Sequence, residues 1–214
     1  TLIGKRIAKL DAPEKASGQT RYVHDLDLPG QLHAKILRST RVHARIRRID
    51  VSRARALPGV HAVLTAADVP YQRPLGVGKD QLPLKGDKVR SLRDEIAAVA
   101  ADTEEIAEAA LRLIDVDYEE LPAVFDPEEA MADGAPQLHE GVARNIAKNP
   151  SFEFGDVEAG FAEADHIFEG VYQTQRVHTC YMEPRVCVID CDRDGHFTVH
   201  SSMQHIFGLR EKLA

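Results

Sequence analysis

The stretch IAAVAADTEEIAEAALRLIDVDYEEL, residues 96–121, decides the fold, because it predicts a strand, a helix and a second strand in succession. Ile96–Ala101 is an apolar run with the length of a short strand. Thr103–Ile114 has apolar residues at helical spacing, and Val116–Leu121 is typical of a returning strand. A helix between two strands predicts a mixed domain in which a sheet is covered on one side.

The predicted helix has a start signal and a broad apolar face. Asp102 and Glu105 have the spacing of a capping box at the first turn. Two adjacent stripes of apolar residues follow at helical intervals and predict one buried face. These residues are Ile106, Ala110 and Leu113, with Ala107, Leu111 and Ile114 beside them.

The same pattern occurs earlier in the chain. Residues 32–39 (LHAKILRS) and 44–50 (ARIRRID) predict strands, the second with its arginines on a solvated edge. Ser52 is expected to cap a short helix that stops at Leu57–Gly59, and residues 61–65 (HAVLT) predict a buried strand. The repetition indicates an α+β or α/β domain.

Two segments predict irregular structure. Residues 71–86 are rich in Pro and Gly, so they are expected to form a long surface loop. The GVGKDQ run within it, residues 76–81, lacks the full phosphate-binding pattern and indicates a flexible loop. Residues 122–150 predict a connector with one short helical piece at Pro127–Met131.

The last part predicts a second, incomplete unit. Asp156 is expected to cap a helix that runs to Ala164. Three predicted strands follow, and a DRDG turn joins the last two as a hairpin before a helix that starts near Gln204. The strands are residues 166–175 (HIFEGVYQTQ), 186–190 (VCVID) and 196–201 (HFTVHS).

Composition limits the class of protein. With 214 residues and a hydrophobic share of 43%, the chain is typical of a globular protein. Its charge is uneven: residues 1–60 hold 13 Lys and Arg against five Asp and Glu, within a chain of net charge −7. The basic part lacks interleaved aromatic residues, so nucleic acid is not an expected partner. No apolar run is long enough to cross a membrane, and we expect a cytoplasmic protein.

Two polar groups are weak candidates for chemistry. Cys180, Cys187 and Cys191 do not have the spacing of a zinc or iron–sulfur site, and the later two are expected to be core residues. His178, Cys180 and Glu183 are close in sequence, but on an extended chain they alternate faces and do not form a triad. Neither group predicts a catalytic or metal-binding residue.

Gln204 is the remaining candidate. An amide at a helix start can donate a hydrogen bond to a bound oxygen. The alternative is an ordinary surface residue in the first turn of a helix. Spacing alone favours the alternative.

Motifs throughout the chain nevertheless resemble the molybdenum-binding subunit of the xanthine dehydrogenase and aldehyde oxidase family. Residues 11–70 resemble the a/b hammerhead domain that opens this subunit. Further similar stretches occur in the expected order. They are DKVR (87–90), IAAVAAD (96–102), VDYEELPAVFDPEEAM (116–131), NIAKN (145–149), FGDVEAGFAEAD (154–165), MEP (182–184) and SSMQ (201–204).

The resemblance implies an α+β fold in three parts. Residues 1–121 would be the hammerhead domain, residues 122–150 a connector, and residues 151–214 the incomplete start of a molybdopterin-binding domain. By this resemblance the chain is expected to be the front part of a longer subunit and to be inactive alone, with no catalytic and no metal-ligating residue in these 214 positions.

The resemblance also implies a cofactor, partners and one contact residue. A molybdopterin-type molybdenum cofactor would be held mainly by later residues, with FAD and iron–sulfur clusters on partner subunits or domains. Gln204 matches the family glutamine that hydrogen-bonds an oxygen on molybdenum, although Met203 stands where threonine is usual. The expected substrate is a small aromatic molecule or an acyl-CoA.

At a finer level, the motifs are most similar to the α subunit of 4-hydroxybenzoyl-CoA reductase, which implies reductive dehydroxylation of an aromatic acyl-CoA. Two alternatives stay open. One is hydroxylation of a purine, an aldehyde or an N-heteroaromatic compound by the same family. The other is a binding or assembly module that has the fold without the chemistry.

Overall fold

A computed structural model describes residues 2–69, 73–75 and 80–213. The chain packs as two units, residues 1–29 with 166–214, and residues 30–165. The helices are α1 (Ala12–Ser17), α2 (Ser52–Arg55), α3 (Glu104–Arg112), α4 (Pro127–Met131), α5 (Val157–Glu163) and α6 (Ile206–Leu213). The strands are β1 (His33–Arg38), β2 (Ala44–Asp50), β3 (Val60–Thr65), β4 (Lys88–Val89), β5 (Glu95–Ala101), β6 (Asp115–Glu120), β7 (Cys187–Cys191) and β8 (Phe197–Ser201).

The unit of residues 30–165 contains two antiparallel three-stranded sheets. The first has the order β1-β5-β3 and the second β4-β2-β6. The strands predicted from the decisive stretch are confirmed, but β5 and β6 lie in different sheets. A helix between strands therefore produces an α+β arrangement here instead of a parallel crossover.

Strand β5 is buried because it is the central strand of its sheet and faces two core clusters. Ala97, Val99 and Ala101 pack with α2 and α3 in the larger cluster. Ile96, which is fully buried, belongs to the smaller cluster with Ala44, Ile46 and Val89. An apolar run that ignores alternation is the expected pattern for a strand covered on both faces.

Helix α3 buries the face that the sequence predicts. Ala107 and Ala110 are fully buried, and these small side chains let the helix approach β1 and β5 closely. Gly59 lies against the same helix at a φ of 84°, where a Cβ atom would approach the Ile106 Cδ1 atom to 2.9 Å. A side chain at position 59 would therefore be strained and crowded.

Two helix caps differ from the prediction. Thr103, not Asp102, caps α3, because its hydroxyl accepts a hydrogen bond from the Ile106 N–H at 3.3 Å. Ser52 is the first residue of α2 instead of its cap, and both its N–H and its hydroxyl donate to Asp50 Oδ1. Short polar residues within one position of a helix start compete for the same role.

The arginines of β2 are solvated, as predicted, but β2 is the central strand of its sheet and not an edge. A bulge between Ile46 and Arg48 shifts the register with β6. Acidic residues of β6 pair with arginines of β2 and with Arg41 just before it, so part of the basic charge of the early sequence is balanced locally. The pairs include Arg47–Glu119, Arg48–Asp115 at 2.8 Å and Arg41–Glu120 at 3.0 Å.

Strand β3 is half-buried, which corrects the expectation of a buried strand. It is an edge strand, and only Val63 and Thr65 are buried. The predicted loop 71–86 lies partly outside the described residues, as does most of the 76–81 run. Its described part contains one isolated bridge, between Leu75 and Gln81.

The connector is fastened to this unit by hydrogen bonds. Helix α4 has the predicted bounds, and Asp126 caps it by accepting from the Glu128 and Glu129 N–H groups. Asn145 donates to the carbonyls of Ala130 and Pro136 and accepts from the Leu138 N–H at 2.9 Å. The segment therefore has a defined path.

The other unit is small. Strands β7 and β8 form the predicted hairpin, and its turn is closed by Asp192, whose Oδ1 atom accepts from the N–H groups of Asp194 and His196 at 2.9 Å. Gly195 has a φ of 85°, which favours glycine at this position. Among the described residues of this unit, Val188 is the buried one.

The strand predicted at residues 166–175 is not present, because these residues have no pairing partner among the described residues. Their large apolar side chains, such as Phe168 and Val171, are almost fully exposed. The α5 helix and its Asp156 cap are confirmed. The boundaries at residues 121 and 150 stay predictions.

Candidate functional site

The residues between β8 and α6 contain the candidate cofactor contact. Helix α6 begins at Ile206, two residues after Gln204, and the Leu209 N–H donates to the His205 carbonyl at 3.0 Å. The prediction of a helix start near Gln204 is therefore confirmed. Gln204 lies in the bend before the helix and is exposed.

The Gln204 amide is free to donate a hydrogen bond, since it has no hydrogen bond to any described residue. The first N–H groups of α6 lie directly after it and carry partial positive charge. An amide donor beside a helix start is suited to an oxygen-rich or anionic group.

A cavity of about 420 Å³ lies beside this bend. Two segments far apart in sequence form its walls, the turn Arg21–Leu26 and the segment Val199–Leu209. The lining residues are Arg21, Tyr22, Val23, Leu26, Val199, His200, Ser201, Met203, Ile206 and Leu209. Met203 and Ile206, on either side of Gln204, belong to the wall, whereas Gln204 does not.

The sequence analysis did not predict that the Arg21–Leu26 turn contributes to this site. The turn has a detectable signal, an Asp25 placed three residues after Tyr22 between the apolar residues Val23 and Leu26. This spacing is typical of a capped turn with one apolar side. The signal shows a turn but not its distant partner.

The polar cluster near residue 180 does not form a triad. The Cys180 N–H donates to His178 Nδ1 at 2.9 Å, and Cys180 has a φ of 47°. No hydrogen bond connects Cys180 or His178 with Glu183 among the described residues. The Tyr181 ring lies 5.6 Å from the His178 ring and 4.9 Å from the Arg185 guanidinium carbon, which is a surface stacking arrangement.

The cysteines are free and exposed, which corrects the prediction that Cys187 and Cys191 are core residues. Cys187, Ile189 and Cys191 share one face of β7, and that face has no covering layer among the described residues. In the described part of the chain, no group of three or more His, Cys, Asp or Glu side chains is arranged to hold a metal ion.

The unit of residues 30–165 contains buried charged residues, and each of them is held by hydrogen bonds to neighbouring groups. Lys85 donates to the Leu82 carbonyl at 2.7 Å and to Glu95 Oε2 at 3.2 Å. Burial lowers the pKa of Lys88, and the nearby Arg90 lowers it further. Lys88 donates to the Gln137 and Leu138 carbonyls, so it holds the connector against β4.

Two histidines of this unit are also structural. Burial is the main cause that lowers the pKa of His139, which lies 3.5 Å from Asp80. His43 is buried, and its Nδ1 atom donates to the Pro122 carbonyl at 2.6 Å. Its Nε2 atom has no partner among the described residues.

The described residues fit a molybdenum cofactor in one limited respect. Gln204 offers an unengaged amide donor at an exposed bend, as the resemblance requires of the residue that contacts the cofactor. The hairpin and α6 hold this bend from both ends. Gln204 would therefore contribute one hydrogen bond to a cofactor that is held mainly by other residues.

Comparison with known proteins assigns the class. Residues 17–122 match the family model described as aldehyde oxidase and xanthine dehydrogenase, a/b hammerhead domain. Residues 138–214 match the molybdopterin cofactor-binding domain. The two matches follow one another along the chain, and the second contains Gln204.

Similar proteins agree with this class. The chain is 43% identical over 205 residues to a probable xanthine dehydrogenase subunit of Bacillus subtilis, covering 95% of this chain and 27% of that protein. It is 38% identical to the nicotinate dehydrogenase large molybdopterin subunit of Eubacterium barkeri, covering 95% and 48%. The crystal structure of Cu,Mo-CO dehydrogenase aligns with a TM-score of 0.84 at 33% identity, covering 97% and 28%.

The chain belongs to the xanthine dehydrogenase/aldehyde oxidase family and contains its hammerhead domain and part of its molybdopterin-binding domain. It spans between about a quarter and a half of the length of these curated relatives. None of the helices in the described ranges is long and apolar enough to cross a membrane.

Proposed function

We propose that the chain is part of the molybdenum-cofactor subunit of a hydroxylase-type oxidoreductase. The observation that carries this proposal is the order of two family matches, a hammerhead domain and then a molybdopterin cofactor-binding domain, over most of the chain. When bound, the cofactor supplies two-electron redox chemistry at molybdenum. Iron–sulfur and flavin partners, on other subunits or domains, would carry the electrons onward.

The chain's own contribution is one hydrogen bond and its support. Gln204 would donate its amide N–H to an oxygen of the cofactor, and the adjoining helix start would add a favourable partial charge. No general acid or base is assigned to these residues. The proposal is supported by the exposed, unengaged amide and by its location within the family match.

We further propose an N-heteroaromatic substrate. Two of the similar proteins are named for xanthine and nicotinate, which are both nitrogen heteroaromatic compounds. Reductive dehydroxylation of an aromatic acyl-CoA, as in 4-hydroxybenzoyl-CoA reductase, is the alternative that the sequence motifs favoured. A substrate panel of purines, pyridine carboxylates, aldehydes and aromatic acyl-CoA esters separates these alternatives.

The test of the Gln204 contact uses the full-length protein that contains this chain, produced with molybdenum. We expect Gln204→Ala to lower kcat about tenfold to a hundredfold, because one hydrogen bond to a charged centre is lost. Gln204→Glu keeps the size of the side chain and removes the N–H donor, so it should lower kcat by a similar factor.

Gln19→Ala is the matched control, since Gln19 is also exposed and its side chain has no hydrogen bond to a described residue. It should leave kcat within about twofold of wild type. A purified full-length protein that is active without molybdenum would refute the proposed function. Unchanged kinetics in both Gln204 variants would refute the contact alone.

A further inference from the structure

The unit of residues 30–165 contains two buried lysines that differ in their partners. Lys85 and Lys88 are each 7% exposed. The Lys85 ammonium forms ion pairs with Glu95 at 3.2 Å and with Asp94 at 3.9 Å. The Lys88 ammonium donates to two backbone carbonyls of the connector and has no ion pair with a described residue. A buried cation that lacks a paired counter-ion is costly, so Lys88 needs an explanation that Lys85 does not.

Arg90 places a second cation beside Lys88. The two residues flank the fully buried Val89, so their side chains lie on the other face of the sheet β4-β2-β6, next to the connector. Arg90 Nε donates to the Leu138 carbonyl at 2.8 Å, and Lys88 Nζ donates to the same oxygen at 3.1 Å. The Arg90 guanidinium forms no ion pair within the part of the chain that the structure describes. Two positive groups therefore share one neutral acceptor.

Arg45 adds a third cation from the neighbouring strand. It is paired directly with Lys88 in the register of β2 and β4, and residues placed in this way have Cβ atoms about 5 Å apart. Its side chain is exposed and makes no hydrogen bond or ion pair with a described residue. By contrast, Arg47 and Arg48 of the same strand each have an acidic partner. Arg45, Lys88 and Arg90 together form a basic cluster that solvent reaches at Arg45.

The acidic residues near the basic cluster are engaged by other groups. Asp87 and Asp94 accept backbone N–H groups of β4 and of the residue that follows it, at 2.7 and 2.6 Å. Glu119 is paired with Arg45 in the register of β2 and β6, but its ion pair is with Arg47. None of these carboxylates forms an ion pair with a member of the cluster.

The pKa of Lys88 agrees with a cluster that is not neutralised. Burial is the first cause that lowers this pKa, and the nearby Arg90 and Arg45 lower it further. Glu140 and Asp87 act in the opposite direction without restoring the ordinary value. An anion held at the cluster would favour the charged form of the lysine.

We propose that the basic cluster binds a small oxyanion of the phosphate class beside the connector. The planar guanidinium groups of Arg45 and Arg90 have the geometry to donate two N–H bonds each to such an anion. The Lys88 ammonium has three N–H groups, of which the two connector carbonyls take two. Three cations around one site suit the several oxygens and the double charge of phosphate. This inference depends neither on the cofactor nor on Gln204.

Isothermal titration calorimetry with inorganic phosphate, at constant ionic strength, tests the site in the full-length protein that contains this chain. We expect Arg45→Gln to weaken phosphate binding about tenfold or more, because it removes charge-assisted hydrogen bonds. This variant should fold, since the exposed Arg45 side chain makes no hydrogen bond or ion pair with a described residue that the substitution would remove.

Arg53→Gln is the matched control for the same loss of charge. Arg53 is also exposed and has no ion pair with a described residue, but it lies in α2, which packs on β3 and α3 of the other sheet. Its substitution should change the phosphate affinity less than twofold. An equal loss in both variants would mean that phosphate responds only to net charge, and would overturn the site.

Hydrogen–deuterium exchange locates the bound anion. At a phosphate concentration of about ten times its Kd, backbone amides at residues 137–140 should exchange about tenfold more slowly, because the anion stabilises the closed connector. Sodium chloride at the same ionic strength should not slow them. The phosphate effect should be absent in Arg45→Gln and retained in Arg53→Gln.

Two further outcomes overturn the proposal. One is a wild-type protein that does not bind phosphate, or whose binding is unchanged in Arg45→Gln. The other is exchange at residues 137–140 that is already slow and ignores phosphate, which would mean that an acidic group of the assembled protein neutralises the cluster. Neither outcome concerns the molybdenum content, so the proposed function is tested separately.

Discussion

Residues 30–165 and residues 166–213 differ in how much of their apolar surface is covered. The first segment has two sheets, two core clusters and paired charges at its surface. The second has one hairpin and one helix, with Phe207 77% and Ile189 59% exposed. A segment whose large apolar side chains are uncovered is expected to gain contacts from additional protein.

The largest expected effect comes from comparing two isoleucines in strands, one in each of these segments. Ile96→Ala in β5 should reduce the free energy of unfolding by about 3–4 kcal/mol, because it leaves a cavity between buried neighbours. Ile189→Ala in β7 should cost less than about 0.5 kcal/mol, since that side chain is already exposed. Urea unfolding of both variants measures the two values.

Similar losses in the two variants would contradict the comparison. They would mean that the outer face of β7 is covered in the protein that was measured. Repeating the pair in the full-length protein extends the test. There we expect the cost of Ile189→Ala to rise as its face becomes buried.

The connector gives the next largest effect. Asn145→Ala should destabilise residues 30–165 by about 2–4 kcal/mol, because it removes three hydrogen bonds and leaves alanine at a φ of 57°. Asn145→Gly also removes the hydrogen bonds but tolerates the backbone, so it should cost about 1 kcal/mol less. Thermal unfolding measures both.

Asn149→Ala is the control for the connector, since Asn149 is exposed and its side chain has no hydrogen bond to a described residue. It should change the free energy of unfolding by less than about 0.5 kcal/mol. If Asn145→Ala is equally mild, the connector is not fastened to the unit in the way that its hydrogen bonds indicate.

The sequence predicted the covered unit better than the exposed one. In residues 96–121 the period of the apolar residues agrees with the final packing, so the strands and the helix were predicted, with an error only in the capping residue, which is Thr103 and not Asp102. Residues 166–175 have the composition of a strand, but a strand needs a partner. Pairing is a non-local property that periodicity does not contain.

The same limit applies to the candidate site. The helix start near Gln204 is local and was predicted, whereas the cavity that Val23 and Leu26 line together with Met203 joins distant segments and was not. The core assignment of Cys187 and Cys191 was wrong because alternation shows which residues share a face, not whether that face is covered.

A pH titration tests the partly buried ion pair between Lys85 and Glu95 that helps to hold the covered unit. Burial raises the pKa of Glu95, but hydrogen bonds from its own N–H, Arg38 and Lys85 outweigh burial, so the pKa is lowered from its ordinary value of 4.5. A lowered carboxyl pKa stabilises the fold above the ordinary value, and this stability is lost as pH falls through the folded pKa.

Glu95→Gln should therefore cost about 1–2 kcal/mol at pH 7 and flatten the decline in stability below about pH 5. Urea unfolding from pH 3 to pH 7 measures both effects. Glu153→Gln is the control in an exposed segment, where Glu153 has no ion pair with a described residue. An unchanged profile in Glu95→Gln would show that Lys85 does not depend on this carboxylate.

The smallest expected effect comes from the surface charges that balance the uneven sequence. Arg47 pairs with Glu119 across β2 and β6, but their side chains are 59% and 44% exposed. A double-mutant cycle with Arg47→Ala and Glu119→Ala should give a coupling energy below about 1 kcal/mol, which falls further in 1 M salt. Arg193→Ala, in the exposed hairpin turn, provides a reference for removing an arginine that has no ion pair with a described residue. A coupling energy above about 2 kcal/mol would mean that the charge ladder, and not only the apolar clusters, distinguishes the covered unit from the exposed one.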